Sequence, residues 1–172
     1  MSEAYPFIEV SLACSDADAM EQFWVDLFDA QVVFRGRMMG QKFSRVIVCG
    51  VTLAFREDPD FQAPPGPGQE FLYRDHFGLR VKDLDAAVAE LQARGANFVL
   101  TPERVRELQK GQSAGGGKFL ETTYAAPPLT PERLAAGEFR IDIAMLVGPD
   151  NLWIELNQIT EPADTQWFPG AA

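Results

Sequence analysis

From Phe7 to Ala13 the chain alternates as FIEVSLA, placing Phe7, Glu9, Ser11 and Ala13 on one side and Ile8, Val10 and Leu12 on the other. That period of two predicts a strand. Ser15 and Asp16 then offer capping oxygens, and Ala19, Met20, Phe23, Trp24, Leu27 and Phe28 recur at helical spacing, so an amphipathic helix of about three turns follows. Three strand-like runs come next, at Gln31–Arg35, Lys42–Cys49 and Val51–Arg56, the last two parted by Gly50 in a tight reversal or bulge. The stretch DPDFQAPPGPGQ holds too much proline and glycine for helix or interior strand and reads as a linker. Beyond it, Tyr73–Val81 reads as a strand, Asp83 opens a helix that runs to Arg94 and stops at Gly95, and Asn97–Leu100 reads as a further strand. Phe139–Val147 and Leu152–Gln158 flank a GPDN turn and complete the pattern.

The second half repeats the first. A shift of 67 residues carries Asp16 onto Asp83, Asp18 onto Asp85 and Ala19 onto Ala86, and it carries Glu9 onto His76. The pattern predicts an α+β protein of two βαβββ modules, residues 1–57 and 73–158, joined by a linker at 58–72. An insertion at 101–138 interrupts the second module, and a tail occupies 159–172. Two Thr-Pro-Glu-Arg words, at Thr101 and Thr130, predict short helices within the insertion, and Gly111–Gly117 supplies a hinge. A lid over a cavity, with Lys118, Tyr124 and Arg133 reaching a ligand, and a dimer contact are both open readings of this segment. Ile47, Leu53, Phe77, Leu79, Val81, Leu84, Val88, Leu91, Met145, Leu152 and Ile154 are the expected core.

Composition narrows the partners. Of 172 residues 47% are hydrophobic, no apolar run approaches the length of a membrane span, and the start lacks a signal-peptide pattern, so a cytoplasmic protein without a membrane partner is expected. A net charge of -10 disfavours nucleic acid and weakly attracts cationic ligands. Cys14 and Cys49 both fall in apolar runs and read as reduced core residues. GQSAGGGK follows no apolar strand and is not a phosphate-binding loop.

The words HFGLRVKDLDAAVAELQA from His76, GPDNLWIEL from Gly148 and FIEVSLACSDADAMEQFWVDLF from Phe7 resemble the modules of the vicinal oxygen chelate superfamily, the group of glyoxalases, bleomycin-resistance proteins and extradiol dioxygenases. The resemblance implies a glyoxalase-like fold, with two modules forming an open curved mixed sheet around a cavity. It also implies a divalent metal (Zn, Ni, Mn or Fe) held by inward residues of each module's first and last strands. Those positions are Glu9 and His76, Ala54 and Glu155. Glu9, His76 and Glu155 are thus the expected metal ligands and Glu155 the expected catalytic proton carrier, whereas Ala54 breaks the four-ligand pattern. With a single histidine, the two-histidine set of the ring-cleaving relatives cannot be assembled within one chain.

The same residues have a plainer reading, with His76 a hydrogen-bonded sheet residue and the two glutamates facing water. Against it, Glu155 sits among Leu152, Trp153, Ile154 and Leu156 and needs a partner there. The implied function is a metal-dependent lyase, isomerase or oxygenase acting on a small substrate with adjacent oxygens. The alternative is a metal-free protein that sequesters a small molecule, and a homodimer is the expected assembly. Arg35, Arg37 and Gln41 are a candidate anion site or a solvated hairpin rim, and Asp142 reads as an exposed edge charge.

Overall fold

The first helix, α1 (Ala17–Phe28), starts where Asp16 leaves helical backbone and its carboxylate accepts from the amides of Asp18 and Ala19 at 2.9 and 3.1 Å. It ends at Asp29, whose left-handed backbone (φ 53°) lets the Ala30 amide return to the Trp24 carbonyl at 3.2 Å. Ala17, Met20, Glu21, Trp24 and Leu27 form its buried stripe. They pack over a four-stranded sheet made of β1 (Val10–Cys14), β2 (Gln31–Met38), β3 (Gln41–Val48) and β4 (Val51–Glu57). The sheet order is β1-β4-β3-β2, with β1 parallel to β4 and the other pairs antiparallel. Met20, Trp24, Val46, Leu53 and Phe55 form the centre of this core.

The computed structural model describes residues 8–66, 75–107 and 141–159. In the second module β5 (His76–Arg80), α2 (Leu84–Ala93), β6 (Asn97–Leu100), β7 (Ile141–Val147) and β8 (Trp153–Ile159) repeat the plan, and the sheet order β5-β8-β7-β6 is the same permutation as in the first. The fold is therefore α+β with two βαβββ modules. The chain divides into two compact units. The first holds residues 8–66 together with Leu91–Asn97 and Val147–Trp153, and the second holds the rest of the described chain. Helix α2 is capped by Asp83, which accepts from the Ala86 amide at 3.0 Å, while the Leu84 amide donates to the Gln158 side chain at 2.7 Å.

Both hairpins of the first sheet turn on two residues with positive φ, Met39–Gly40 (53° and 87°) and Cys49–Gly50 (50° and 76°). This is the turn whose twist matches paired strands. It corrects the placement of Cys49 in the core: the residue is exposed at the turn, and only Cys14 is buried. Ile47 is likewise 41% exposed, because it lies on the sheet face away from α1. Asp142 departs from its expectation in the opposite sense. It is 4% exposed and accepts from Arg106 at 3.3 Å, an ion pair that Arg106 shares with Asp85 at 3.2 Å. A carboxylate so deep is tolerable only beside such a cation.

Thr101 does open a helix over residues 102–107, its hydroxyl accepting from the Arg104 amide at 3.5 Å. The second Thr-Pro-Glu-Arg word, the glycine run, the lid residues Lys118, Tyr124 and Arg133, and the tail beyond Ile159 lie outside the described residues. Among the described residues no helix is long and apolar enough to cross a membrane.

Candidate functional site

Glu21 shows which face of the first sheet is covered. Its carboxylate accepts from the Ser44 hydroxyl and from Arg35 at 2.6 and 2.8 Å, so α1 lies on the Ser44 side of β3. Residues alternate across a strand, so Phe43, Arg45 and Ile47 point to the other face. The register then sets out a row on that face: Ser11 on β1 is opposite Ala54 on β4, Ala54 is opposite Arg45 on β3, and Arg45 is opposite Phe34 on β2. Two residues before Ser11, Glu9 shares its side of the chain.

Arg45 reaches over Ala54 to Glu9. Its Nε lies 2.9 Å from one carboxylate oxygen, off the line of a good hydrogen bond, and its Nη2 donates to the other at 3.4 Å. Only a methyl group stands at position 54, opposite Arg45 on the intervening strand. The guanidinium also sits 5.1 Å from the Phe43 ring centre, and Phe43 meets Phe34 edge-on at 5.8 Å. The first unit thus exposes Phe34 and Ile47 on this face, over buried Phe43 and beside the Arg–Glu pair.

The second unit brings together two of the expected ligands. The order β5-β8 makes His76 and Glu155 neighbours, with His76 Nε2 3.9 Å from Glu155 Oε2. The Asn157 amide, two residues further along the same face of β8, donates to Glu155 Oε1, while its own oxygen is buried and without a hydrogen-bond partner among the described residues. Burial raises the Glu155 pKa above the ordinary carboxylate value, against the lowering effects of His76 and of the Asn157 hydrogen bond.

Each expected ligand therefore has a definite partner. Glu9 is in the first unit on Arg45, and His76 and Glu155 are in the second unit beside each other. Among the described residues no group of three or more His, Cys, Asp or Glu side chains is placed to hold a metal. The donor chemistry agrees: Glu9 is bound to a cation already, Ala54 offers no donor, and the second unit supplies one imidazole and one carboxylate. Within the first unit alone, Glu9 paired with Arg45 and a donorless Ala54 do not make a site for a divalent ion.

The sequence reading missed Arg45 and Asn157. Both were open to detection by alternation, Arg45 as a charge inside the run KFSRVIV and Asn157 as the residue two beyond Glu155. Of the candidate anion site, Arg35 is committed to Glu21 and Arg37 to the Gly40 carbonyl at 2.7 Å, which leaves a hairpin rim. A separate open cleft of about 300 Å³ in the first unit, lined by Phe23, Leu27, Arg94, Asn97 and Pro149 among others, contains none of the candidate residues.

A family model, the glyoxalase-like domain, matches residues 9–115, a span that includes Glu9, Ala54 and His76. No curated protein matches the chain by sequence. Solved structures share the fold at low identity. A glyoxalase, bleomycin resistance protein and dioxygenase domain from Frankia sp. EAN1pec is 17% identical with a TM-score of 0.53, covering 92% of this chain and 95% of its own. TnmS3, an antibiotic-binding protein from Streptomyces sp. CB03234, is 19% identical with a TM-score of 0.52, covering 93% and 100%. A variant of the fosfomycin resistance protein FosX from Listeria monocytogenes, complexed with Mn(II) and 1S,2S-dihydroxypropylphosphonic acid, is 12% identical with a TM-score of 0.51, covering 92% and 95%. With the doubled βαβββ plan already established by the sheet order, the family match over most of the chain makes this protein a member of the glyoxalase-like domain family, within the vicinal oxygen chelate superfamily.

Proposed function

We propose that the chain binds a small aromatic molecule bearing hydrogen-bonding groups, and that it does so without a resident metal. One observation carries this reading: both oxygens of Glu9 face the Arg45 guanidinium across Ala54, so the carboxylate that the superfamily pattern assigns to a metal is neutralised by the protein itself. The face that carries the pair is suited to such a ligand, since Phe34 and Ile47 are 45% and 41% exposed beside Phe43 and the polar pair. The net charge of -10 favours a cationic ligand. The fold accommodates an antibiotic-binding protein in TnmS3 and a Mn(II) complex in FosX, so this chain's own residues must decide between the two.

A second reading, favoured by the 3.9 Å approach of His76 to Glu155, makes Glu9, His76 and Glu155 the ligands of Zn, Ni, Mn or Fe, with Glu155 carrying the proton in a lyase, isomerase or oxygenase reaction. Assembly as a homodimer belongs to both readings and is checked by sedimentation. Metal analysis of protein purified without chelating resin separates them, together with thermal unfolding in Mn(II), Fe(II), Ni(II), Zn(II) and a panel of cationic aromatic compounds. The expected outcome is substoichiometric metal, no metal-dependent rise in Tm, and a rise with an aromatic compound. Stoichiometric metal that is lost in His76→Ala and Glu155→Gln overturns the proposal in favour of the second reading.

A further inference from the structure

We infer that Arg45 is the residue that keeps the first module free of metal, standing toward Glu9 where the superfamily's site would place a divalent cation. The inference deepens the metal-free reading above and rests on it. Its ground is the relation of three positions: the register lines up Arg45 with Ala54 and Ser11, and Glu9 lies two residues before Ser11 on the same side of the chain. Strands in a sheet lie about 4.8 Å apart, so β3 and β1, with β4 between them, are about two such spacings apart. A side chain from β3 can meet one from β1 only by lying over the intervening strand, and this requires a small residue there. Ala54 is that residue: it pairs with Arg45 on one side and with Ser11 on the other, and it is fully buried. Position 54 is also where the superfamily pattern calls for a further ligand. The loss of a donor at 54 and the passage of a guanidinium over 54 are thus one structural fact.

The contact is an ion pair with one hydrogen bond: Nε lies 2.9 Å from one oxygen without donating to it, and Nη2 donates to the other at 3.4 Å. It neutralises Glu9 in a half-buried setting, with side-chain exposures of 39% for Arg45 and 27% for Glu9. A divalent ion on Glu9 must displace the guanidinium and then tolerate a displaced cation nearby. Stacking over Phe43 at 5.1 Å holds the guanidinium in place and opposes its withdrawal.

The test uses Mn(II) and Ni(II) as probes, titrated calorimetrically into the full chain. Glu9→Gln is expected to leave the affinities of the wild-type protein unchanged within about twofold, whereas Arg45→Gln is expected to raise them about tenfold or more. That gain is expected to vanish in the double variant with Glu9→Gln. If Arg45→Gln does not fold, Arg45→Met, which retains an unbranched stem over Phe43, takes its place. Independently of any variant, the Arg45 Nε–H resonance of the wild-type protein is expected to stay in place during titration with diamagnetic Zn(II). Three results each overturn the inference: weakened metal binding in Glu9→Gln alone, a folded Arg45 variant with no gain, or a Zn(II)-dependent shift of the Nε–H resonance. Tight metal binding by wild-type protein that ignores Glu9 defeats only the metal-free reading. An absence of gain in the Arg45 variants, with no metal bound by wild type, defeats only the role of Arg45.

Discussion

Replacing Gly148 with alanine introduces a methyl group and nothing else, because the backbone there is extended (φ -103°, ψ -166°) and any residue adopts it. The new Cβ would stand 2.7, 2.9 and 3.0 Å from Cζ, Cε1 and Cε2 of Phe23. Carbon atoms prefer about 3.5–4.0 Å, so the ring must move by most of an ångström. Its room is restricted by edge-on contacts with Trp24 at 5.7 Å and Phe28 at 6.1 Å. Overpacking of this kind costs about 1–3 kcal/mol, and half-buried Phe23 retains enough freedom to put the cost at about 2 kcal/mol. For a chain of this size that corresponds to a fall in Tm of about 4–8 °C. Urea unfolding followed by tryptophan fluorescence measures the loss. The same substitution in a Phe23→Leu background, where the ring is absent, is expected to cost less than about 0.5 kcal/mol. Equal losses in the two backgrounds, or a neutral Gly148→Ala, would refute the steric argument.

The raised pKa of Glu155 makes a pH-dependent prediction. Between the ordinary carboxylate range and the raised folded value, the folded protein binds more protons than the unfolded chain, so this component of stability is complete at low pH and is lost as pH rises through the window. The stability difference between wild type and Glu155→Gln should therefore decline as pH rises above about 4.3, and a flat or rising difference contradicts the burial argument. A thiol reagent should label Cys49 in the native protein but reach Cys14 only on unfolding, since Cys14 is buried and its pKa is pushed up to about 11, chiefly by desolvation. Two thiols labelled at equal rates in native protein would count against the buried placement. Asp16→Ala should cost about 1 kcal/mol through loss of the α1 cap. Asp83→Ala should cost less, because the Leu84 amide retains Gln158, and chemical denaturation giving an equal or larger loss contradicts that division of the α2 cap.

The doubled plan was legible because its signals are local. Asp16 and Asp83 act as caps wherever they occur before a helical stripe, and alternation in FIEVSLA and LWIELNQ reports a strand whatever it pairs with. The 67-residue shift that linked Glu9 with His76 also followed from order along the chain. Tertiary structure decided the rest, because alternation separates two faces of a strand without saying which one a helix will cover. Covering the Ser44 face with α1 left Ile47 exposed and buried Glu21. The two-residue turn took Cys49 out of its strand, since both of its positions need left-handed backbone. Asp142 sits in the core beside Arg106, 36 residues away in the chain, a pairing that no local pattern announces. His76 met Glu155 because β8 lies next to β5, a matter of strand order. The Arg45–Glu9 pair depended on tertiary structure most of all. It required β3 to lie one strand away from the β1 end of the sheet and a small residue on the strand between, and that coincidence belongs to the sheet rather than to any one segment of the chain.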